Sequence, residues 1–424
     1  MKVGIYTLGC KVNNYESEFV SNLLQNHGYE ITSFDDICDI YIINTCTVTN
    51  TSDVKSRKII RQAKRKNKDA CIIAMGCFIQ ANKDNIIDEV DIAIGNKDKS
   101  RIVELIEEYY KGKNKIIDLY DDFDNDFEDM YIDKYNGRTR AFVKIQDGCE
   151  NFCSYCIIPY VRGKCRSKKL DKVLEEVNSL VEHGFKEIVL TGIHTGNYGV
   201  DLGINFATLL KELVKIKDLK RLRISSIEIN ELTDEVMDII KSNECIVNHL
   251  HIPIQAASDN VLKVMNRKYD LNTFEEKIKK IKLLKKDMNI TTDIIVGHPL
   301  ESKEDFESGI DIIKRIGFSK LHVFPYSLRN GTKAALLEQV PEFEKKQRAQ
   351  KLLLLSKELE IDYMKKFIGK ELEVLIEKGS DEYSIGHTTN YLLIKILNKK
   401  LNSEDLVNVK ITKIEYPFLI GEIK

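Results

Sequence analysis

Three closely spaced cysteines, Cys149, Cys153 and Cys156, constrain this chain more than any other feature of its sequence. They form a C-x3-C-x2-C motif directly after an apolar segment, residues 141–146, that predicts a strand. Three thiolates at this spacing can hold three irons of a 4Fe-4S cluster and leave the fourth iron open to another ligand. Zinc is the alternative, although zinc prefers four ligands and Cys165 is the only nearby candidate for a fourth. We therefore expect a metal centre at the carboxyl end of this strand.

Three further cysteines, Cys10, Cys46 and Cys77, each follow a predicted strand. Because the carboxyl ends of parallel strands meet at one edge of a sheet, these thiols are expected to converge there. Their gaps of 36 and 31 residues are weak evidence for a metal site, and on spacing alone buried core cysteines are the favoured interpretation. Ten cysteines in a chain of 424 residues indicate thiolate ligands or catalytic thiols, because the cytosol keeps thiols reduced.

The pattern of apolar residues predicts a multidomain α/β protein. The first third alternates strands with helices, including a helix that follows a turn at residues 11–14 and another from about residue 53 to 66. An acidic stretch, residues 118–133, reads as a solvated linker because it holds eight Asp or Glu and no Lys or Arg. Strands at 141–146, 187–191, 221–225, 246–254, 291–296 and 321–324 alternate with helices in six βα-like units, and the segments 371–376, 391–397 and 406–414 predict a small β-barrel. The predicted domains are residues 1–118, the linker 119–135, a central domain 136–366 and a final domain 367–424.

Local charge, and not overall charge, indicates where nucleic acid would bind. The net charge is only −1, which excludes a general basic field. Residues 55–68 carry eight Lys or Arg and no acid on a predicted helix, which favours contacts with RNA phosphates, while a solvated surface helix is the equal alternative. The predicted RNA contacts are Lys55, Arg57, Lys58, Arg61, Lys64 and Arg65, together with Arg162 and Arg166 on either side of Cys165.

Membrane insertion is not expected from this sequence. No apolar run approaches the length of a bilayer span, and the first ten residues lack the charged and apolar regions of a signal peptide. We therefore expect a cytoplasmic protein with no membrane partner.

The C-x3-C-x2-C motif, with Tyr155 before its last cysteine, resembles the radical S-adenosylmethionine (SAM) superfamily. The resemblance implies a partial (βα)6 TIM-type barrel, and a SAM molecule that chelates the open iron and is cleaved to a 5′-deoxyadenosyl radical. The residues implied as SAM contacts are Tyr155, Thr191, Gly192, Ser225, Glu228, Gln255, Ile295, Gly297, Phe324 and Tyr326. Thr191-Gly192 and Gly297 can also be read as simple turn residues.

Motifs nearer the two ends of the chain are similar to those of the methylthiotransferases, a radical SAM family with three domains. They are Leu8-Gly-Cys10-Lys-Val-Asn13, Asn44-Thr-Cys46-Thr-Val, Gly76-Cys77, His251-Ile-Pro-Ile-Gln255 and Phe324-Pro-Tyr326-Ser. This resemblance implies that Cys10, Cys46 and Cys77 bind a second 4Fe-4S cluster, which carries the sulfur to be inserted. It also implies that two SAM molecules are consumed for each product.

The segment Gly-Cys10-Lys11-Val12-Asn13 is similar to the branch that acts on threonylcarbamoyladenosine beside the tRNA anticodon. The alternatives within the family are isopentenyladenosine in tRNA and an aspartate of a ribosomal protein. The implied partners are the tRNA anticodon stem-loop, an external electron donor of the flavodoxin or ferredoxin type, and a sulfur donor. 

The C-terminal segment resembles a TRAM domain, a small RNA-binding β-barrel, at Gly386-His-Thr388, Tyr391 and Gly421-Glu422. From another class of protein, a noncatalytic RNA-binding module stabilised by zinc is the alternative. The residues of this chain differ from those common in the family at Gly297-His298-Pro299-Leu300-Glu301 and at Ala256-Ala257. Leu300 stands where the family commonly has glycine, so we expect this loop to differ and the affinity for SAM to be affected. No acid-base role is assigned to His298, His194 or His251.

Overall fold

The structure, a computed structural model, describes residues 1–120, 126–135, 137–397 and 399–423. None of the helices within these ranges has both the length and the apolar character needed to cross a bilayer. Along the chain, the described residues form a parallel sheet with helices, then a partial barrel, then a small closed barrel.

The N-terminal unit is a parallel sheet in the order β2-β1-β3-β4-β5-β6. Its strands are β1 (Lys2–Thr7), β2 (Glu30–Thr32), β3 (Ile40–Thr45), β4 (Cys71–Gly76), β5 (Ile92–Ile94) and β6 (Ile116–Asp118). Its helices are α1 (Lys11–Asn26), α2 (Asn50–Lys66), α3 (Cys77–Ala81) and α4 (Ile102–Gly112). β3 and β4 are buried along their whole length because α1 and α4 cover one face of the sheet and α2 and α3 the other.

Helix α1 begins earlier than the sequence predicted. The turn expected at residues 11–14 is wrong, since Lys11 is already the first helical residue. Val12 and Tyr15, three positions apart, are both buried on one face of the helix, and this packing outweighs the turn tendency of the two intervening asparagines.

The predicted acidic linker is only partly solvated. Its residues 121–125 lie outside the described residues. In the described part, 126–135, Met130, Ile132 and Tyr135 are buried in the core of the central unit. Asp126, Asp129 and Asp133 stay exposed, whereas Glu128 turns inward and accepts from the Ser100 N–H at 2.9 Å, so the segment packs against the protein with only part of its charge in solvent.

The central unit is a partial barrel of strands and helices, as predicted. Its strands are β7 (Arg140–Asp147), β8 (Arg166–Ser167), β9 (Glu187–Gly192), β10 (Arg221–Ile224), β11 (His249–His251), β12 (Asn289–Val296) and β13 (Lys320–Pro325). Its helices are α5 (Ile158–Arg162), α6 (Leu170–Glu182), α7 (Phe206–Leu213), α8 (Asp234–Ser242), α9 (Asp259–Val264), α10 (Leu271–Lys282) and α11 (Lys303–Ile316). Short 3-10 helices of this unit lie at Thr195–Asn197, Val200–Leu202, Ile229–Glu231 and Lys333–Leu336. One more, Lys99–Arg101, belongs to the N-terminal unit.

Six strands of this unit run parallel, in the order β7-β9-β10 and β11-β12-β13, and β8 pairs antiparallel with β7. A bridge between Leu222 and Ile246 joins the two groups. The strand predicted over residues 246–254 is shorter, covering only β11. Pro253 has no N–H for a sheet hydrogen bond, which accounts for the early end of this strand.

The last unit is a closed barrel in the order β14-β15-β16-β18-β17, which confirms the predicted small barrel. It follows helix α12 (Glu342–Lys365) and contains β14 (Glu371–Gly379), β15 (Tyr383–Thr388), β16 (Leu393–Leu397), β17 (Leu406–Glu415) and β18 (Phe418–Ile423). β15 and β18 were not predicted.

The N-terminal unit lies across the open side of the partial barrel. Glu16 of α1 pairs with Lys144 of β7 at 3.0 Å, while the backbone N–H of Asn50 donates to Ser327, just beyond β13, at 2.8 Å. β7 and β13 are the outer parallel strands, so both rims of the opening are held by the same unit.

The closed barrel covers the amino ends of the same strands. Arg221 at the start of β10 pairs with Glu373 at 2.8 Å. Asn289 at the start of β12 donates to the Asn390 carbonyl at 2.6 Å. The amino ends are therefore covered by protein, and the carboxyl ends are left for a functional site.

Candidate active site

The segment of residues 149–156, here called the cysteine loop, follows β7 through a tight turn. Gly148 has a φ of +75°, and a Cβ at this position would lie 1.9 Å from the carbonyl oxygen of Lys164. Only glycine fits such an approach. The backbone N–H of Cys156 donates to the Cys153 carbonyl at 3.0 Å. Burial raises the pKa of the Cys156 thiol most, and the nearby thiols of Cys153 and Cys149 raise it further. The loop therefore brings its three thiols close together.

Arg267 and Glu228 lie beside the cysteine loop. Arg267 Nη1 donates to Cys153 Sγ at 3.3 Å and pairs with Glu228 at 3.0 Å. Asn151 of the loop donates to the same carboxylate at 3.2 Å. Arg267 Nη2 is buried and finds no hydrogen-bond partner among the residues that the structure describes. An unpaired guanidinium nitrogen next to Cys153 fits a carboxylate-bearing ligand such as SAM.

Cys10, Cys46 and Cys77 follow the neighbouring strands β1, β3 and β4, and the structure brings them together as the parallel-strand argument predicted. A Cβ on Gly9, whose φ is +100°, would lie 2.9 Å from Cys46 Cβ, so the glycine allows the two loops to approach. Cys46 and Cys77 are buried, whereas Cys10 faces a cavity. Their ligation of a cluster stays a prediction.

Burial keeps one thiol of each cysteine set protonated unless a cation binds. Burial raises the pKa of Cys156 to about 12. Burial, followed by the nearby Cys77 thiol, raises the pKa of Cys46 to about 11. A bound metal ion stabilises the thiolate form directly and releases the protons. These two thiols are therefore suited to metal ligation more than to nucleophilic catalysis at neutral pH.

The thiols are too far apart for a compact zinc site. Across the described ranges, His194, Glu228 and Glu231 form the only group of three candidate ligands whose atoms lie within 4.8 Å of one another. Zinc–sulfur bonds of about 2.3 Å hold tetrahedral sulfurs about 4 Å apart. Among the described residues neither cysteine set meets this spacing, so neither is a preformed tetrahedral zinc site.

Arg162 connects the two cysteine sets from inside the protein. Its Nε donates to Cys77 Sγ at 3.2 Å and its Nη2 donates to Asn13 Oδ1 at 2.9 Å. Its Nη1 contacts Glu16 and Asp147, both at 3.0 Å. Asp147 immediately precedes the glycine that opens the cysteine loop. The guanidinium thus places positive charge beside the N-terminal thiols and ties them to the base of the loop.

The predicted phosphate contacts at Arg162 and Arg166 do not fit the structure. Arg162 is 0% exposed and Arg166 is 5% exposed. Arg166 donates to the carbonyl of Arg162 at 2.8 Å. Both guanidiniums are paired with groups inside the protein, among them Asp147, so neither is available to RNA.

Helix α2 presents part of its predicted basic surface to solvent. Lys55, Lys58, Arg61 and Arg65 are exposed and lie three or four positions apart, so they share one face. Two of the predicted RNA contacts are used differently. Lys64 donates to the Ala70 carbonyl at 3.1 Å, and the Arg57 guanidinium lies 5.0 Å from the centre of the Phe78 ring. 

A cavity of about 580 Å³ lies between the N-terminal unit and the interior of the partial barrel. Cys10 and Lys11 line it on one side, and Thr191, Gly192 and Ser225, three of the predicted SAM contacts, line it on the other. Burial, followed by the charge of a neighbouring arginine, lowers the pKa of Lys11 to about 8. The cavity therefore extends from Cys10 to the carboxyl ends of β9 and β10.

The remaining predicted SAM contacts, Glu228 among them, lie near the carboxyl ends of the strands. Gln255 has a φ of +64°, and the Ile295 N–H donates to its carbonyl at 2.8 Å. Gly297 directly follows β12, while the Phe324 side chain, near the end of β13, is 41% exposed. Their contact with SAM stays a prediction.

His298 braces the cysteine loop. Its ring packs edge-on against Tyr155 and Tyr326, with centroid distances of 6.2 and 5.4 Å. It also forms a 3.2 Å hydrogen bond with Ser154. Burial lowers the pKa of His298 to about 4, so the imidazole is neutral at pH 7. His298 thus contacts two predicted SAM contacts, Tyr155 and Tyr326, although no role was predicted for it.

The departures from the family pattern are accommodated locally. Leu300 has a φ of +67° and a side chain that is 54% exposed, so the loop keeps the left-handed backbone that glycine favours. Ala257 is buried, and a Cβ on Gly309 of α11 would lie 3.1 Å from its methyl group. The small side chains allow α11 to pack closely here.

Sequence reasoning missed Arg267, Asn13 and Glu16. Arg267 lies 111 or more residues beyond the cysteines it adjoins, and nothing in its own segment marks it. Asn13 and Glu16 stand three and six positions after Cys10, on the helix that follows it. Their spacing from Cys10 was the available signal, once α1 was known to begin at Lys11.

Two family models match the chain. The Radical SAM superfamily matches residues 143–313, and Uncharacterized protein family UPF0004 matches residues 2–95. In solved structures, the chain is similar to a radical S-adenosylmethionine methyltransferase, TsrM, from Kitasatospora setae. The TM-score is 0.59 and the identity 13%, covering 79% of this chain and 77% of that one, which shows a shared fold.

Curated relatives cover nearly the whole chain. The Bacillus subtilis (strain 168) protein named threonylcarbamoyladenosine tRNA methylthiotransferase MtaB is 42% identical, over 99% of this chain and 96% of its own length. A tRNA-2-methylthio-N(6)-dimethylallyladenosine synthase from Clostridium novyi (strain NT) is 36% identical, over 99% and 96%. These matches exclude the noncatalytic zinc protein. Together with the match to the radical SAM superfamily, they show that the chain belongs to the methylthiotransferases of the radical SAM superfamily.

Proposed function

We propose that this protein inserts a methylthio group into the adenine ring of threonylcarbamoyladenosine beside the anticodon of tRNA. The observation that carries the proposal is the cavity bounded by Cys10 on one wall and by Thr191, Gly192 and Ser225 on the other. A base held there would lie between the sulfur-carrying site and the radical-forming site. The 42% identity with a relative named for this substrate, against 36% with one named for dimethylallyladenosine, supports the choice between the two.

The family's cofactors are SAM and two 4Fe-4S clusters. Cys149, Cys153 and Cys156 would hold the cluster that binds SAM, and Cys10, Cys46 and Cys77 the second one. When bound, these groups supply a carbon radical strong enough to take hydrogen from an unactivated C–H bond, and the sulfur that replaces it.

The side chains position and shield these groups. Arg267 Nη2, buried beside Cys153, would donate to the carboxylate of SAM. Arg162 offsets negative charge at Cys77, to which it donates at 3.2 Å. The partial barrel and the closed barrel enclose the cavity, so water and other radical quenchers are kept from the reacting carbon.

The exposed face of α2 would contact the phosphates of the anticodon stem, with Lys55, Lys58, Arg61 and Arg65 as the contact residues. The reaction further requires an external electron donor of the flavodoxin or ferredoxin type and a sulfur donor. Because tRNA is the proposed substrate, we place the protein in the cytoplasm.

The nucleoside content of tRNA tests the substrate. In a strain lacking the gene, mass spectrometry should show the loss of the 2-methylthio derivative of threonylcarbamoyladenosine and the accumulation of threonylcarbamoyladenosine itself. Expression of the chain should restore the product. Loss of the methylthio derivative of isopentenyladenosine would favour that alternative, and loss of neither, with a change in a ribosomal-protein aspartate, would favour the other.

Two cysteine variants test the division of labour between the clusters. Cys153→Ala should abolish SAM cleavage. Cys46→Ala should leave SAM cleavage intact but stop thiomethylation. Cys245→Ala, a partly buried cysteine outside both sets, is the matched control and should retain both activities. Full product from Cys46→Ala would show that the second cluster assignment is wrong.

A further inference from the structure

The charged side chains that line the cavity are mostly paired with one another or with neighbouring groups. The pairs are Arg223 with Glu187 at 2.6 Å, His251 with Asp293 at 3.2 Å, Lys320 with Glu360 at 2.9 Å and His387 with Glu377 at 2.8 Å. These charges are satisfied within the protein and have no need of a ligand.

Lys11 is the exception. It begins α1 directly after Cys10, and its side chain lines the same cavity. Within the described ranges it forms no hydrogen bond or ion pair through its ammonium group.

The Lys11 ammonium therefore lines the cavity without a partner among the described residues, whereas the guanidinium of Arg223 in the same cavity is already paired with Glu187. An anion entering the cavity would give this ammonium the partner that it lacks. The surroundings of Lys11 therefore favour a bound carboxylate.

We propose that the Lys11 ammonium binds the carboxylate of the threonylcarbamoyl group on the substrate adenine. The inference rests on the proposed function and extends it to substrate selection. An isopentenyl group has no charge, so it gains nothing from Lys11. Lys11 and Cys10 line the same cavity, so a carboxylate held by Lys11 would keep the base in the cavity that Cys10 also faces.

SAM also bears a carboxylate, and the two sources need to be separated. The position of Arg267 argues for the substrate. Arg267 Nη2 is a buried donor without a partner in the described protein, and it lies beside Cys153, where SAM is expected. Lys11 instead adjoins Cys10. Each anion thus has its own cation.

The test pairs a protein variant with a change in the RNA. Anticodon stem-loops would carry either threonylcarbamoyladenosine or its primary amide, which has the same shape without the charge. For the reconstituted wild-type enzyme we expect the amide to weaken binding and to lower kcat/KM by about 10- to 100-fold, the effect of one charged hydrogen bond. Lys11→Met should lose a similar factor on the natural stem-loop and should no longer distinguish it from the amide. Lys11→Arg should retain the preference.

Measurements on SAM complete the experiment. Formation of 5′-deoxyadenosine and the KM for SAM should be unchanged in Lys11→Met, and so should iron content and melting temperature, because Lys11 holds no bond within the described protein. A raised KM for SAM, with the preference for the carboxylate intact, would assign Lys11 to the cofactor and overturn the proposal. A wild-type enzyme that fails to modify the natural stem-loop overturns the proposed function as well. If the wild type makes product and Lys11→Met still prefers the carboxylate over the amide as strongly as the wild type does, the Lys11 proposal alone is overturned.

Discussion

Arg162 shows how the role of a side chain depends on what surrounds it. In the sequence it stands three residues before Cys165, where an exposed arginine was expected to meet RNA. In the structure it is fully buried and contacts Glu16 of α1, 146 positions away. Burial alone raises the pKa of Glu16, but Arg162, followed by Lys99 and Lys144, lowers it below its ordinary value. The carboxylate is therefore ionised and depends on these cations.

Replacing Arg162 tests this network. We expect Arg162→Gln to lower the free energy of unfolding by about 3 kcal/mol, because Glu16 and Asp147 keep their charge in the interior and lose a partner. Urea denaturation of the reconstituted protein measures the change. Arg61→Gln, an exposed arginine with one partner on the surface, is the control and should leave the midpoint unchanged. An unchanged midpoint in Arg162→Gln would contradict the proposed charge compensation.

At the scale of an element, helix α2 is held in place at its N-terminal end and exposes a basic face along the rest of its length. Thr49 caps the helix by accepting from the Ser52 N–H at 3.2 Å, so the helix begins three residues before the predicted start at Asp53. Arg329 pairs with Asp53 at 2.8 Å and fixes this end to the segment after β13. The remaining length of the helix is free to present its basic face.

The exposed charges of α2 are expected to act through phosphate contacts. Lys58→Gln combined with Arg61→Gln should weaken tRNA binding and reduce the slope of log affinity against log salt by up to about 2, one for each lost contact. Filter binding over a range of salt concentrations measures both quantities. Lys279→Gln combined with Lys280→Gln, exposed lysines on α10, is the matched control. Equal slopes in the two double variants would show that α2 is a solvated helix.

At the scale of the whole molecule, the closed barrel and the partial barrel meet around His249. Its ring stacks on Tyr391 of the closed barrel at a centroid distance of 4.9 Å and lies 3.3 Å from an Arg223 nitrogen. Burial, followed by the charge of Arg223, lowers the pKa of His249 well below its ordinary value. The interface therefore holds a neutral imidazole that the unfolded chain would protonate in mild acid.

This difference predicts a loss of stability below neutral pH. Since the unfolded histidine titrates near pH 6.5 and the folded one far lower, its contribution is complete above pH 6.5. Below that pH it falls by about 1.4 kcal/mol per pH unit. Urea midpoints at pH 7.5 and 5.5 should differ less in His249→Gln than in the wild type. His27→Gln, on an exposed histidine, should follow the wild type, and an equal loss in all three proteins would exclude His249 as the cause.

Much of the fold could be predicted from the sequence because the local pattern of apolar residues determines where helices and strands form. Periods of 2 and 3.6 residues identified the six βα-like units and the final barrel, and helix α6 was predicted with its observed ends, Leu170–Glu182. The three-residue strand β2 was missed because so few residues carry too little periodicity. The C-x3-C-x2-C motif was equally local, so the cysteine loop needed no structure to be recognised.

The sequence by itself determined the two cysteine sets, the order of strands and helices, and the family to which the chain belongs. Only the tertiary structure decided that Arg162 is buried, that Arg267 adjoins Cys153, and that Lys11 faces a cavity. The reason is physical: burial and charge pairing depend on atoms that distant segments bring together. Arg162 and Glu16 are far apart in the chain and 3.0 Å apart in space, and no local pattern encodes that distance.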